Sequence, residues 1–156
     1  MDVANINPFI QATQTVCATI CGEAPSLGKL FAKAKPYTTQ PVSITVGVIG
    51  DIAGEVVYTM TEAAVCFIAS KMMGGMPVVS LDEMAQSAVS EMANMISGNV
   101  ATLFSGKGIK LDITPPLFRL NAATADFPRA AELEKIISIP LGFANGAKIE
   151  LDILFK

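Results

Sequence analysis

The chain has 156 residues, a length typical of one domain with a single buried core. Its formal net charge of −3, with no block of Lys or Arg, gives no electrostatic footprint for nucleic acid and excludes that class of partner. The lack of histidine removes the commonest general base and the Ser-His or Cys-His nucleophile arrangements. We therefore expect one domain over residues 1–156 whose chemistry uses other groups.

Hydrophobic residues make up 51% of the chain and the mean hydropathy is +0.50, but the apolar runs are short. The longest, residues 63–69, is far below the roughly 18 residues needed to span a bilayer. The amino-terminal sequence MDVANINPF has neither the basic start nor the long apolar run of a signal peptide. We predict a cytoplasmic protein with no membrane partner, whose apolar excess goes into the core and subunit contacts.

Three cysteines, an odd number, indicate reduced thiols rather than a disulfide framework. Cys17 and Cys21 lie four residues apart on a predicted helix. With no histidine and only Cys66 besides, they fall short of a four-ligand zinc site. We expect these thiols to be small buried side chains, with no metal site among them.

The first predicted element in chain order is a helix over residues 5–21, with Asn7 as its cap, Pro8 at its first position and Gly22 ending it. Residues 23–40 mix Pro, Gly and Lys without periodicity. They predict a loop, in which one short strand is an open alternative.

Alternating apolar and small polar residues predict a strand over residues 41–48. A turn that begins at Gly50 returns the chain as a second strand over residues 54–60, which makes a hairpin. A second helix then runs to Met73, with Thr61 as its cap.

The longest helical pattern covers residues 80–104. Ser80 and Glu83 are spaced as a capping box, and Val79 and Met84 as a hydrophobic staple, so we predict that the helix begins there. Its apolar residues recur at three and four positions, which predicts one stripe facing the core: Ala85, Ala88, Val89, Met92, Ile96, Val100 and Leu103.

Residues 109–113 alternate as a third strand, which Pro115 and Pro116 stop. Residues 117–134 predict an irregular connection, in which residues 130–134 can form a short helix. We interpret Pro115 and Pro116 as strand terminators, with a place in the site as the alternative.

The last two segments, residues 135–143 and 147–155, predict a hairpin around Asn145 and Gly146. Strands thus come as hairpins, with helices between them rather than in strict βαβ alternation. This arrangement predicts an α+β fold, a mainly antiparallel sheet of hairpins with helices packed on it. No extended internal sequence repeat is detected.

A polar row lies on the side of the third helix away from its apolar stripe. At about 100° per residue, Ser87, Glu91, Asn94 and Gly98 fall together there. Residues three and four apart are neighbours, so the Glu91 carboxylate and the Asn94 carboxamide project side by side. Asn is a poor helix former and Gly costs about 1 kcal/mol against Ala, so stability does not explain this face. A solvated face without function is the alternative, but a local rule broken without structural gain is typical of functional sites.

The spacing S-x-x-x-E-x-x-N, formed by Ser87, Glu91 and Asn94 and continued as N-M-I-S-G-N, resembles the signature of the CheC/CheX/FliY phosphatases of bacterial chemotaxis. The G-x-I-G-D-I-A-G-E-V-V-Y hairpin and the M-M-G-G-M-P link also resemble CheX-type proteins, and the resemblance covers most of residues 5–120. The family's proline position after the motif falls on Leu117. The chain has one E-x-x-N, as in CheX, where many CheC proteins carry two.

The resemblance implies a CheC-like fold and a phosphatase that accelerates hydrolysis of the aspartyl phosphate on a phosphorylated CheY-like response regulator. It implies that Asn94 orients the attacking water and that Glu91 docks to the regulator's conserved Lys. Ser87 and Gly98 are then candidates for supporting the site or touching the partner. It also implies that Mg²⁺ belongs to the regulator, that the protein has no cofactor of its own, that it is a homodimer, and that CheD is a further candidate partner.

A competing interpretation is a non-catalytic interaction module with the same fold, similar to the middle domain of flagellar switch proteins or to a CheD-binding protein. A small-ligand domain is a third alternative, with no distinguishing residue behind it. The presence of both Glu91 and Asn94 favours the enzyme, because a docking surface alone does not require this pair.

Overall fold

The computed structural model describes residues 3–155, and for residues 3 and 4 only the backbone. Residues 1, 2 and 156 lie outside the described residues. The predicted domain includes all three, and the amino-terminal segment compared above with signal peptides includes residues 1 and 2. The elements are α1 (Val3–Cys21), β1 (Ser26–Leu27), β2 (Phe31–Ala34), β3 (Val42–Gly50), β4 (Gly54–Met60), α2 (Glu62–Met72), α3 (Glu83–Ser105), β5 (Leu111–Ile113), β6 (Leu117–Leu120), a 3₁₀ turn (Thr124–Asp126), α4 (Pro128–Ala131), β7 (Lys135–Gly142) and β8 (Lys148–Phe155).

These strands form one eight-stranded sheet in the order β1-β7-β8-β4-β3-β5, and the recorded pairs are antiparallel. β2 pairs with β7 beside β1, and β6 pairs with β3 beside β5, so each edge of the sheet is a strand in two pieces. The hairpins β3–β4 and β7–β8 meet in the centre, where β4 pairs with β8. The predicted α+β fold, a mainly antiparallel sheet of hairpins with helices packed on it, is confirmed.

Helices α1, α2 and α3 pack on one face of this sheet. The predicted alternation of β3 is confirmed, because Val42, Ile44, Val46 and Val48 are buried in this layer. The rings of Phe9 in α1 and Phe104 in α3 meet edge to face with centroids 6.0 Å apart. Each large apolar side chain buried in this way contributes about 1.5–3 kcal/mol, so the layer holds α3 in one rotational setting.

The other face of the sheet is more polar and is covered by the segments that contain Tyr37 and Phe127. The Tyr37 hydroxyl donates to Oδ2 of Asp152 at 2.6 Å, and Nζ of Lys33 lies 2.8 Å from the same oxygen. Asp152 is fully buried in the central strand β8, whereas Lys33 belongs to the edge strand β2. The ion pair therefore ties an edge strand to the centre of the sheet.

The amino-terminal helix begins earlier than its sequence predicts. α1 starts at Val3, so Asn7 and Pro8 lie inside it, and their prediction as cap and first helical position is wrong. The helix extends upstream because Ile6 is buried together with Phe9 on the core side of the same helix. Gly22, with φ of 73°, follows the helix in the left-handed conformation expected of a helix end.

Two predicted connections contain strands that pair with distant parts of the chain. The loop over residues 23–40 holds both β1 and β2, and the connection over residues 117–134 begins with β6. Because these strands have only two to four residues, their own sequence shows no alternation, and their pairing with β7 or β3 defines them. The short helix predicted at residues 130–134 lies instead at Pro128–Ala131.

The fold contains two similar halves. Residues 9–17 of α1 and residues 89–97 of α3 have the same succession of buried, half-buried and exposed positions. Each helix is followed by an edge strand in two pieces and then by a hairpin, and the edge strand of each half pairs with the hairpin of the other. The structure thus has an internal repeat that is not visible in the sequence.

Candidate functional site

The helix that carries the polar row begins at a different cap from the predicted one. Asp82 is the cap of α3, and its carboxylate accepts a hydrogen bond from the amide of Ala85 at 2.8 Å. Ser80 is outside the helix. Val79 and Met84 are 93% and 60% exposed, so the predicted staple is absent. A carboxylate cap also opposes the positive end of the helix dipole, which a serine hydroxyl does not do.

The buried side of α3 agrees with the predicted stripe at five of its seven positions, whereas Ala88 and Leu103 are only half-buried. Ala85, Val89, Met92, Ile96 and Val100 are all buried against the sheet and the neighbouring helices. The opposite side is open to solvent, because α3 packs in the layer with that side outward. The helix therefore has one fixed face and one free face along its whole length.

All four predicted site residues lie on this free face. Ser87 and Glu91 are exposed, and Asn94 and Gly98 are half-buried. Cβ atoms three or four residues apart on a helix are about 5–6 Å from each other, so the carboxylate and the carboxamide work from adjacent positions. Glu91 and Asn94 thus occupy neighbouring positions outside the buried side of α3, and the roles assigned to them stay predictions.

These side chains make no bonds to the rest of the described chain. Helix α3 contains no Lys or Arg. Within residues 3–155, the Glu91 carboxylate forms no ion pair and the Asn94 carboxamide no hydrogen bond. The Ser87 hydroxyl is not bonded to Glu91 in the same part of the chain. Both functional groups are therefore available to another molecule.

Two exposed methionines, Met84 and Met95, lie beside the polar row, and neither is among the candidate site residues that the sequence predicts. Met84 is 60% exposed and Met95 is 36% exposed. Met84 lies two turns before Glu91 and Met95 one turn after it, so the three form one line along the helix. Both methionines fall outside the buried stripe in the sequence, and this spacing could have indicated their exposure. Met84 was instead predicted to be buried in a hydrophobic staple. Exposed thioethers beside a polar pair are typical of surfaces that contact other proteins.

Asn99, the other amide on this helix after Asn94, has a different setting. Sequence reasoning predicts a buried amide that bonds to nearby backbone. Asn99 is only half-buried, and its side chain makes no hydrogen bond within the described residues, so that prediction is wrong. It points to a different side of α3 from Asn94.

The free face of α3 is open to solvent at Glu91 and partly covered at Asn94. A surface cavity of about 690 Å³ lies between α2 and residues 77–81, and its lining includes neither Glu91 nor Asn94. The Glu91–Asn94 pair therefore lies outside that cavity. Among residues 3–155, no group of three or more His, Cys, Asp or Glu side chains is placed to hold a metal ion.

Cys17 and Cys21 are buried as predicted, and Cys66 is half-buried. The hydrogen bond to Cys21, together with burial, raises the pKa of the Cys17 thiol, which keeps it neutral.

In the described part of the chain, every helix is too short or too polar to cross a bilayer.

Comparison with known proteins gives consistent results. A model of the family described as Chemotaxis phosphatase CheX matches residues 42–138. The CheY-P phosphatase CheX of Thermotoga maritima is 31% identical over 116 residues, which are 74% of this chain and 75% of that protein. A CheC-like superfamily protein from Shewanella sp. PV-4 is 27% identical with a TM-score of 0.79, covering 98% of this chain and 99% of that one. A chain of the CheX-CheY-BeF₃-Mg²⁺ complex from Borrelia burgdorferi is 26% identical with a TM-score of 0.75, covering 97% of each.

The fold and the matched motif region together define a phosphatase with CheC-like architecture. The matched residues include all of α3 and therefore Ser87, Glu91, Asn94 and Gly98. The chain belongs to the chemotaxis phosphatase family CheX. The family expected from the sequence, the fold class and the class of enzyme, a phosphatase, are confirmed.

Proposed function

We propose that this protein, as a single domain over residues 1–156, accelerates hydrolysis of the aspartyl phosphate on a CheY-type response regulator. The observation that carries the proposal is the pair formed by Glu91 and Asn94. In a chain of the CheX family, this carboxylate and carboxamide stand side by side on a fixed, solvent-exposed helix face with no partner of their own in the described residues.

In the proposed reaction, a water oxygen attacks phosphorus and forms a new P–O bond while the bond between phosphorus and the aspartyl oxygen breaks. The aspartate leaves as a carboxylate, and the water proton passes to the released phosphate. A carboxamide is no base at neutral pH, but Asn94 can accept from and donate to the same water. It thereby holds the water in line with phosphorus, and the rate gain comes from orientation of the nucleophile.

Glu91 serves to dock the two proteins. Its carboxylate has no cation in the described part of this chain, so a lysine in the regulator's active site can pair with it. Mg²⁺ is expected on the regulator, where it offsets charge on the phosphoryl oxygens. The CheX-CheY-BeF₃-Mg²⁺ complex from Borrelia burgdorferi contains a chain similar to this one over 97% of its length, which supports this arrangement.

Ser87 and Gly98 complete the proposed contact face. Ser87 is exposed one turn before Glu91 and carries no bond to it in the described residues, so a contact with the partner suits it better than support of Glu91. Gly98 lies one turn after Asn94 on the same face.

The test is the decay of phosphorylated regulator with catalytic amounts of the protein. The parent protein is expected to accelerate decay with multiple turnover. Asn94→Ala should bind with the parent KM but lose kcat tenfold or more, which corresponds to about 1.4 kcal/mol of barrier for each factor of ten. Glu91→Ala should raise KM as well, because the docking ion pair is lost.

Asn99→Ala is the matched control, since it removes the same side chain from the same helix on a different side. It is expected to keep the parent rate. Decay at the uncatalysed rate, or protection of the phosphoryl group at equal concentrations of the two proteins, identifies the non-catalytic interaction module instead. Parent activity in Asn94→Ala contradicts the role given to Asn94.

We also propose a homodimer. Large apolar side chains are exposed on or beside the two-piece edge strands, where a second copy can cover them: Leu27, Leu30, Phe31, Leu117 and Leu120. Sedimentation equilibrium tests this, and a monomer at every concentration rules it out. Binding of CheD and a cytoplasmic location stay predictions from the family resemblance.

A further inference from the structure

We propose that Gly98 marks the point where the backbone of α3 comes closest to the receiver domain of the regulator. In this arrangement any side chain at position 98 holds the two proteins apart and withdraws Asn94 from the phosphoryl group. The inference rests on the proposed function and adds a close-contact surface to the Glu91–Asn94 pair. Gly98 is half-buried and lies one turn beyond Asn94 on the same face.

The fold of the protein itself does not need glycine at this position. Gly98 is absent from the glycines with positive φ, and a Cβ built there meets nothing within 4 Å. By contrast, a Cβ at Gly47 lies 2.8 Å from Oγ1 of Thr114, and one at Gly54 lies 2.7 Å from the Phe155 ring. Those two glycines are required by packing. Gly98 has no such reason, although glycine in a helix interior lowers stability relative to alanine.

An external contact supplies the missing reason. Glycine allows another molecule to approach the backbone directly, and position 98 lies on the face that carries the proposed chemistry. A methyl group at this position extends the helix surface by roughly 1.5 Å, one carbon–carbon bond. A misplacement of about 1 Å at a reacting centre can cost about a hundredfold in rate, so even alanine is large enough to matter.

The lengths of the site side chains indicate the same approach. The Glu91 carboxylate is carried on two methylene groups, the Asn94 carboxamide on one, and Gly98 has none. A partner that receives both functional groups must lie closer to the helix at Asn94 than at Glu91. The contact therefore tightens toward the carboxyl end of α3, and Gly98 is the next residue on that face.

The experiment compares the parent, Gly98→Ala and Gly98→Leu in two measurements, resistance to chemical denaturation and steady-state decay of phosphorylated regulator. Gly98→Ala is expected to unfold at a higher denaturant concentration than the parent, because the helix gains a better former. Its kcat/KM is expected to fall tenfold or more, and that of Gly98→Leu further. Stability and activity thus move in opposite directions, which a purely structural role of Gly98 does not produce.

Ala18→Leu is the matched control. Ala18 of α1 directly follows the nine matching positions, as Gly98 does in α3; Ala18 is exposed and Gly98 is half-buried. Added bulk there should leave kcat/KM unchanged.

The outcomes separate this inference from the proposed function. Parent kcat/KM in both Gly98 variants overturns the close contact while the phosphatase stands. Loss of activity that accompanies loss of stability in Gly98→Ala also overturns it, since the damage then lies in the helix. An inactive parent protein removes the proposed function, and the inference falls with it.

Discussion

The hydroxyls of Tyr58 and Ser97 lie 2.7 Å apart in the buried layer between β4 and α3. Tyr58 is fully buried and Ser97 is 2% exposed. Burial raises the pKa of the Tyr58 phenol more than its hydrogen bond to Ser97 lowers it, so the phenol keeps its proton. Ser97 follows Asn94 by three residues and is on the flank of α3 between the core and the site face. A hydrogen bond is directional, so this bond resists rotation of α3 about its own axis. Apolar contacts are not directional and resist that rotation less.

Rolling matters because the tip of a helical side chain lies about 5–6 Å from the helix axis. A roll of about 10° therefore moves the Asn94 carboxamide by about 1 Å, enough to affect the alignment of a bound water. We predict that Tyr58→Phe lowers kcat for receiver dephosphorylation several-fold with little change in KM. It should also reduce the free energy of unfolding by about 1–3 kcal/mol, because the Ser97 hydroxyl is left buried without a partner.

Two further variants separate positioning from stability. Tyr58→Phe combined with Ser97→Ala removes both hydroxyls and should recover most of the stability, but not kcat. Thr59→Val removes a neighbouring buried hydroxyl that serves the other face of the sheet, where it accepts from the Gln40 amide and donates to the Val42 carbonyl. It should cost stability at unchanged kcat. If kcat returns with stability in the double variant, the bond only stabilises the fold.

The start of α3 gives a second prediction. Asp82→Ala removes the carboxylate that accepts from the Ala85 amide, and should lower the free energy of unfolding by about 0.5–2 kcal/mol. Ser80→Ala should change it by less than about 0.5 kcal/mol, because Ser80 is exposed outside the helix. Urea denaturation of both variants checks this. A larger loss for Ser80→Ala than for Asp82→Ala restores the capping box that the sequence suggested.

This case shows where local sequence reasoning succeeds and where it stops. Glu91 and Asn94 were placed correctly because helical periodicity alone decides which side of α3 they occupy. Ser80 and Asp82 are both favourable helix caps by residue type, so residue type alone does not decide at which of them α3 begins. The packing of the segment between α2 and α3 decides it. The bond from Tyr58 to Ser97 joins residues 39 positions apart, and no local pattern encodes it.

The same limit explains the edges of the sheet. The β1–β7 pair joins residues more than a hundred positions apart in the chain. β6 has four residues between a proline and a turn, too few for alternation to appear. The hairpins β3–β4 and β7–β8 were predictable because both strands and the turn of each hairpin lie within one short stretch of sequence.

The internal repeat leads to the last prediction, which concerns α1. Gln11 occupies the position in α1 that Glu91 has in α3, and Gln14 the position of Asn94. Gln11 has no charge to pair with a lysine. The Gln14 amide already donates to the Pro25 carbonyl at 3.1 Å, so it is not free as the Asn94 amide is. We predict that Gln11→Ala and Gln14→Ala each keep kcat/KM within twofold of the parent.

The measurement is the same phosphoryl decay, run beside Glu91→Ala and Asn94→Ala. The two helices have matching patterns of burial over nine residues. The comparison is therefore between similar helical positions that carry different side chains. A tenfold loss in either glutamine variant indicates that the regulator also contacts α1. Unchanged activity favours α3 as the helix that carries the hydrolytic function, because of these two helices, within the described residues, α3 alone presents a free carboxylate and a free short amide together.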